Sequence, residues 1–249
     1  MRFQFPLLLL LPLLLVTAFL SGCSSVARRL LYYPTHHADR HGLEEWRPGG
    51  EFAGYCRPVR NPAAVWLLVH GNGGQAADRA YALHAFSPRD AVYFLEYPGY
   101  GARPGVPSKE ALDAAARGAF RRLRTDFPGL PLCVAAESIG SGPAALLAEE
   151  PAPPDKFVLV IPFDRLVNVA RERVTLLPAW FILRRSWENG AALSGYRGPV
   201  DIFAARGDTL IPPHHAQSLA RSIPQARLTL IPGGHNDWAA QGVVQFRFP

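Results

Sequence analysis

The stretch Leu132-Cys133-Val134-Ala135-Ala136-Glu137-Ser138-Ile139-Gly140-Ser141-Gly142 constrains this chain more than any other. An apolar run with strand character ends in a small residue, an acid, a serine, an aliphatic residue and a glycine, and the helix-like Pro143-Ala144-Ala145-Leu146-Leu147-Ala148 follows. This spacing predicts a strand, a sharp turn and a helix. Such an elbow lifts a serine hydroxyl out at the carboxyl end of a sheet, where the helix amino end turns N–H groups and its positive dipole toward it. Ser138 is therefore the candidate nucleophile. Ala136 stands where the G-x-S-x-G pattern has its first glycine, and it adds a single methyl where helix and strand cross closely. Taken alone, the same residues also describe an ordinary turn or helix-cap serine.

The surrounding chain supplies a rhythm. The apolar run Ala64–His70 has the pattern of a strand covered on both faces, Lys156–Ile161 reads as another buried strand, and Ala91–Leu95, Val200–Ala205 and Arg227–Ile231 read as further strands. Between two of them Ser108 can cap a helix whose apolar positions Leu112, Ala116, Ala119, Leu123 and Phe127 recur at helical spacing. Alternating buried strands and helices predict an α/β protein with a mostly parallel central sheet. Residues 162 to 193 break the rhythm with Leu176, Leu177, Trp180, Phe181, Ile182, Leu183 and Trp187. They read as a small cap insertion whose aromatic residues either wall an acyl site or pack the cap onto the body.

The strands end in polar loops with chemical content. His70-Gly71-Asn72-Gly73-Gly74 follows one strand, Arg206-Gly207-Asp208 another, and Gly233-Gly234-His235-Asn236-Asp237 a third. In chain order this gives Ser138, Asp208 and His235, each at the carboxyl end of a strand. A serine hydroxyl needs a base to take its proton, and an imidazole needs an acid to fix its tautomer. The backbone N–H groups of Asn72 and Ile139 are the candidate oxyanion hole. Asp164 and Asp237 are rivals for the acid, while His70 reads as ordering the glycine-rich loop and His214 and His215 as structural. His36, His37 and His41 lack a nearby cysteine or carboxylate at metal spacing and read as loop residues, so neither a metal nor a cofactor is expected.

The chain opens with Arg2 and the almost wholly apolar run Phe3 to Phe19, short for a membrane span, and continues into Leu20-Ser21-Gly22-Cys23. That tetrapeptide resembles the lipobox of bacterial lipoproteins, with an uncleaved signal anchor as the alternative. The expected organisation is a lipoprotein signal peptide over 1–22, a tether and edge segment over 23–50 beginning at a lipidated Cys23, and one catalytic domain over 51–249. Ser24 in place of Asp points to the outer membrane, facing the periplasm, with acyl chains such as palmitate as the anchor. The formal charge of +6 is spread along the chain, mostly on arginine, without a block dense enough for nucleic acid. Beyond Cys23 there are two cysteines, Cys56 and Cys133, and Cys133 lies in an expected central strand, which argues against pairing.

With His70-Gly71-Asn72-Gly73-Gly74, Tyr97-Pro98-Gly99-Tyr100-Gly101, Glu137-Ser138-Ile139-Gly140-Ser141-Gly142, Pro162-Phe163-Asp164, Arg206-Gly207-Asp208 and Gly234-His235-Asn236-Asp237 in order, the chain resembles the α/β-hydrolase superfamily, within it the Bem46/ABHD-like branch of serine hydrolases. The resemblance implies an α/β-hydrolase fold and a serine hydrolase without a cofactor. Its substrate would be a small acyl ester, a thioester or a lipid-like molecule, cleaved at the bacterial envelope. A catalytically inactive hydrolase-like binding protein and a serine peptidase are the alternatives. The short carboxyl end after His235 leaves room for only a brief last helix.

Overall fold

Four segments in which every residue is buried build the centre of the sheet: β3 (Val65–Val69), β4 (Ala91–Leu95), β5 (Leu132–Glu137) and β6 (Phe157–Val160). On one side the sheet continues through β7 (Val200–Ala205) to β8 (Ala226–Ile231), and on the other through β2 (Gly54–Arg57) to β1 (Glu44–Trp46). The computed structural model describes residues 31–173, 186–240 and 242–248. The proposed signal peptide, Cys23, Trp180 and Phe181 lie outside the described residues.

The eight strands run in the order β8-β7-β6-β5-β3-β4-β2-β1. All neighbours are parallel except β2, which runs antiparallel to both β4 and β1. The edge strand β1 starts at Glu44. From β3 the chain steps outward to β4 and then crosses back to β5 on the other side, so the strand order reverses around β3. Such a reversal opens a crevice outside the carboxyl ends of the strands. Register keeps those ends level: Val69 pairs with both Leu95 and Ala136, Glu137 with Val160, and Ile231 with Ala205. The loops after β3, β5, β7 and β8 therefore emerge along one edge.

Period-two alternation divides the strand side chains between two cores. Leu67, Val69 and Val134 face one layer, shared with Leu112, Ala116, Phe120 and Leu123 of α1 (Lys109–Asp126). Trp66, Leu68 and Cys133 face the other, closed by Ala76 to Phe86, Trp238 and Phe246. Helix α1 begins where the sequence places it, with Ser108 Oγ accepting the Ala111 N–H at 3.1 Å. The helix expected after β5 is a run of three pieces: a 3₁₀ turn at Ser138–Gly140, α2 (Ser141–Ala145) and another 3₁₀ turn at Leu146–Glu149. Pro143 has no N–H to return to Ile139, so the regular ladder is interrupted inside the first turn. Among the described residues no helix follows His235. The carboxyl end instead lays Phe246 on Phe86, with ring centroids 4.3 Å apart, and closes the second core.

The described parts of the cap segment are α3 (Leu166–Arg173) and α4 (Asn189–Leu193). Their ends meet in an antiparallel bridge between Arg165 and Glu188. Trp187 is buried, packs on Gly142 where a Cβ would overlap its ring, and donates its indole N–H to Asp113 at 2.6 Å. Asn189 ties α2 to the end of β6, donating to Ser141 Oγ and to the Phe163 carbonyl, each at 2.9 Å. Cys56 and Cys133 are both free and buried. They lie on β2 and β5, three strand spacings apart or about 14 Å, beyond disulfide reach. Among the described residues no helix is long and apolar enough to cross a membrane.

Candidate active site

Ser138 leaves β5 with φ at 53°, in the left-handed region that a residue with a side chain rarely enters. Holding it there costs on the order of 1–3 kcal/mol, which the surrounding packing must supply. Two residues on, a methyl at Gly140 would overlap the carbonyl oxygens of Val69 and His70. Glycine at 140 thus lets the elbow pack directly on the end of β3. Ala136 is buried and accommodated at the elbow's first position, in register with Val69.

The three expected residues come together although 97 and 27 positions separate them along the chain. His235 Nε2 lies 3.0 Å from Ser138 Oγ, and His235 Nδ1 lies 2.7 Å from Asp208 Oδ2. Asp208 is almost wholly buried, and its other oxygen accepts the N–H groups of Leu210 and Ile211, each at 2.8 Å. With both oxygens acting as acceptors, His235 Nδ1 is the donor. Its Nε2 lone pair is then directed at the serine hydroxyl.

The loop after β3 is braced from several sides. His70, fully buried, donates from Nδ1 to the Gly71 carbonyl at 2.7 Å and packs on Tyr97 with centroids 4.2 Å apart. Tyr97 donates its hydroxyl to the His70 carbonyl at 2.7 Å, and Tyr100 donates to Asn72 Oδ1 at 3.0 Å. Burial drives the Tyr97 phenol pKa well above its ordinary value, so it stays a neutral donor. Arg79 donates to the Gly73 carbonyl at 2.6 Å and to Glu137 Oε2 at 3.1 Å, joining this loop to the residue before the nucleophile. Tyr81 adds a second donor to the same carboxylate at 3.2 Å. Burial alone would weaken the charge on Arg79, but the neighbouring Glu137 more than offsets it and raises the guanidinium pKa.

Comparison with known proteins bears on the fold. The chain is 29% identical over 232 residues to the Mycobacterium tuberculosis protein Rv2307c, an alignment covering 86% of this chain and 82% of that one. It is 29% identical over 180 residues to the α/β-hydrolase domain-containing protein WAV2 of Arabidopsis thaliana, covering 63% and 58% of the two chains. The structure of an esterase from Pyrococcus furiosus superposes with a TM-score of 0.62 at 13% identity, over 84% of this chain and 95% of that one. The chain has the α/β-hydrolase fold. No family model matches it.

Within this hydrolase fold the rival acids are accounted for elsewhere. Asp164 pairs with His215 Nδ1 at 2.9 Å, while Asn168 donates to its second oxygen at 2.8 Å. Burial works against its charge, but the hydrogen bonds from His215, the Arg165 backbone and Asn168 hold its carboxyl below the ordinary range. Asp237 accepts the Gly234 N–H at 2.7 Å and shapes the turn that carries His235. His37 and His41, read from sequence as lacking a carboxylate partner, meet one in Asp78, with His37 Nε2 at 2.7 Å and His41 Nε2 at 3.7 Å. His215 is buried and paired, which fits a structural reading, though its surroundings carry more than that. The Arg79–Glu137 pair escaped sequence reasoning. The signal for it was Glu137 itself, an acid at the end of a fully buried strand that requires a cationic or N–H partner.

Proposed function

We propose that this chain is a serine hydrolase that cleaves a carboxylic ester or thioester through an acyl-enzyme on Ser138. The observation that carries the reading is the continuous relay from Ser138 Oγ through His235 to Asp208, with the serine held at a left-handed elbow. In the reaction His235 Nε2 takes the hydroxyl proton as Oγ attacks the acyl carbon. Asp208 stabilises the imidazolium, which then protonates the leaving group. Water repeats the sequence to release the acid. The oxyanion would be received by the N–H groups of Asn72 and Ile139. The first lies on the loop braced by Tyr100 and Arg79, the second in the turn packed on β3. Removal of one such donor costs about 2.7–4 kcal/mol of barrier.

An acyl substrate is favoured by the apolar groups around this edge. Tyr81, which touches Glu137, and Leu210, two residues after Asp208, are both exposed, as is Tyr33, paired in register with Gly73. The proposal includes placement in the Bem46/ABHD-like branch and, from Leu20-Ser21-Gly22-Cys23, a lipid anchor on Cys23 that holds the enzyme at the outer membrane facing the periplasm. Membrane attachment and a lipid-like substrate are chemically consistent.

The test uses the full chain purified in detergent, labelled with a fluorophosphonate probe and assayed on p-nitrophenyl esters. Labelling is expected to vanish in Ser138→Ala. Turnover is expected to fall by about 10⁴-fold in Asp208→Asn, which removes the acceptor that sets the imidazole tautomer. Asp164→Asn retains turnover. A wild-type chain that neither labels nor turns over any ester supports the inactive binding-protein reading, and cleavage confined to a peptide panel supports a peptidase. Mass spectrometry of the amino-terminal peptide tests the anchor, with a lipidated Cys23 expected.

A further inference from the structure

A second cluster of imidazoles and carboxylates lies apart from the relay, where α3 meets α5 (Pro213–Ser222). His214 and His215 stand in the first turn of α5, and Glu172 in the last turn of α3. His214 Nε2 lies 2.9 Å from Glu172 Oε1, and His215 Nε2 lies 3.4 Å from Glu172 Oε2. The ligand atoms of all three residues fall within 4.8 Å of one another. A tetrahedral zinc site with bonds of about 2.0–2.1 Å separates its ligand atoms by about 3.4 Å, a spacing that small side-chain rotations of the exposed His214 and Glu172 can reach.

His215 supplies an independent observation. Its side chain is 2% exposed, and Nε2 is a buried atom with no hydrogen-bond partner. On the opposite side of the ring, Nδ1 donates to Asp164 at 2.9 Å. This is the carboxylate–histidine arrangement that fixes a metal-ligating tautomer, because the proton on Nδ1 leaves the Nε2 lone pair for a ligand. The two imidazoles pack with centroids 4.3 Å apart. Arg171 and Arg221 line the same depression and oppose diffuse attraction of any divalent cation, so binding would rest on direct ligation, for which imidazole nitrogen favours zinc-class metals.

From this geometry we infer a divalent transition-metal site of the zinc class formed by His214, His215 and Glu172, with Asp164 orienting His215 and water completing the shell. The metal clips the end of α3 to the start of α5. It thereby secures the opening of the cap segment against the helix that follows the Asp208 loop.

The test is metal binding by the full chain in detergent after chelator treatment. Zn²⁺ is followed by calorimetry, and Co²⁺ by its visible absorption at a tetrahedral site. One Zn²⁺ per chain, a tetrahedral Co²⁺ spectrum and a raised melting temperature are expected. His214→Ala and Glu172→Gln each weaken binding by at least about 10-fold, and Asp164→Asn weakens it by about 10–100-fold. The side chains of His214 and Glu172 are 54% and 43% exposed, so these variants fold, which circular dichroism checks. His37→Ala, at the exposed cluster with Asp78, leaves the affinity unchanged. Absence of stoichiometric binding overturns the proposal, as does binding that survives His214→Ala and Glu172→Gln or is lost with His37→Ala.

Discussion

At residue scale, the site depends on a few atoms with no room to move. Gly140 is one: an added methyl meets two backbone carbonyls that belong to β3 and cannot swing aside. Gly140→Ala is expected to destabilise the fold by about 1–3 kcal/mol and to abolish fluorophosphonate labelling, because the elbow must shift away from the loop of Asn72. Urea unfolding with labelling in parallel measures both. Arg79 and Glu137 are another case, a buried pair with side chains each 9% exposed. Arg79→Met leaves a carboxylate without its cation next to the nucleophile and is expected to cost about 3–5 kcal/mol. Adding Glu137→Gln should recover much of that loss. A double variant as unstable as Arg79→Met alone would show that the pair does not act through charge compensation.

At the scale of elements, much was legible because strands and caps are written locally. The runs at 65–69, 91–95 and 132–137 are continuous in apolar residues since helices or loops cover both faces of their sheet, and Ser108 announces α1 through its own side chain. Ser108→Ala is expected to lower stability by about 1 kcal/mol, read as a fall in melting temperature with ester turnover unchanged. Ser138, Asp208 and His235 could be read for a similar reason: each lies within four residues of a strand's carboxyl end, where a parallel sheet gathers its loops. The remainder depended on partners far apart in sequence. Glu137 meets Arg79 across 58 positions and His215 meets Asp164 across 51, and neither period nor turn chemistry encodes such pairs. The continuous helix expected after β5 is instead three short helical pieces over 138–149, with Pro143, which lacks a backbone donor, inside the middle one.

On the scale of the whole molecule, ion pairs fasten the outer helix to the chain leaving the elbow. Glu150, with a side chain 3% exposed, accepts Arg117 at 2.6 Å and Arg121 at 2.7 Å. The hydrogen bond from Arg121, aided by that from Arg117, outweighs burial and lowers its carboxyl pKa below the ordinary value. A depressed acid contributes stability that is present above its unfolded-state value, about 4.3, and is lost as pH falls through the folded value. Glu150→Gln should therefore melt at a lower temperature than wild type at pH 7, with the gap closing toward pH 3. A constant gap across that range would remove Glu150 from the acid limb. Burial likewise pushes the Cys56 thiol up to about 11, so neither it nor the deeper Cys133 should react with iodoacetamide until the fold opens. The wide spacing of the relay also orders events in time. During synthesis the nucleophile at 138 emerges long before the base at 235, and the two meet only when β8 completes its edge of the sheet. The growing polypeptide thus presents Ser138 before its proposed base exists, and the relay can form only after the strand that leads to His235 has been made.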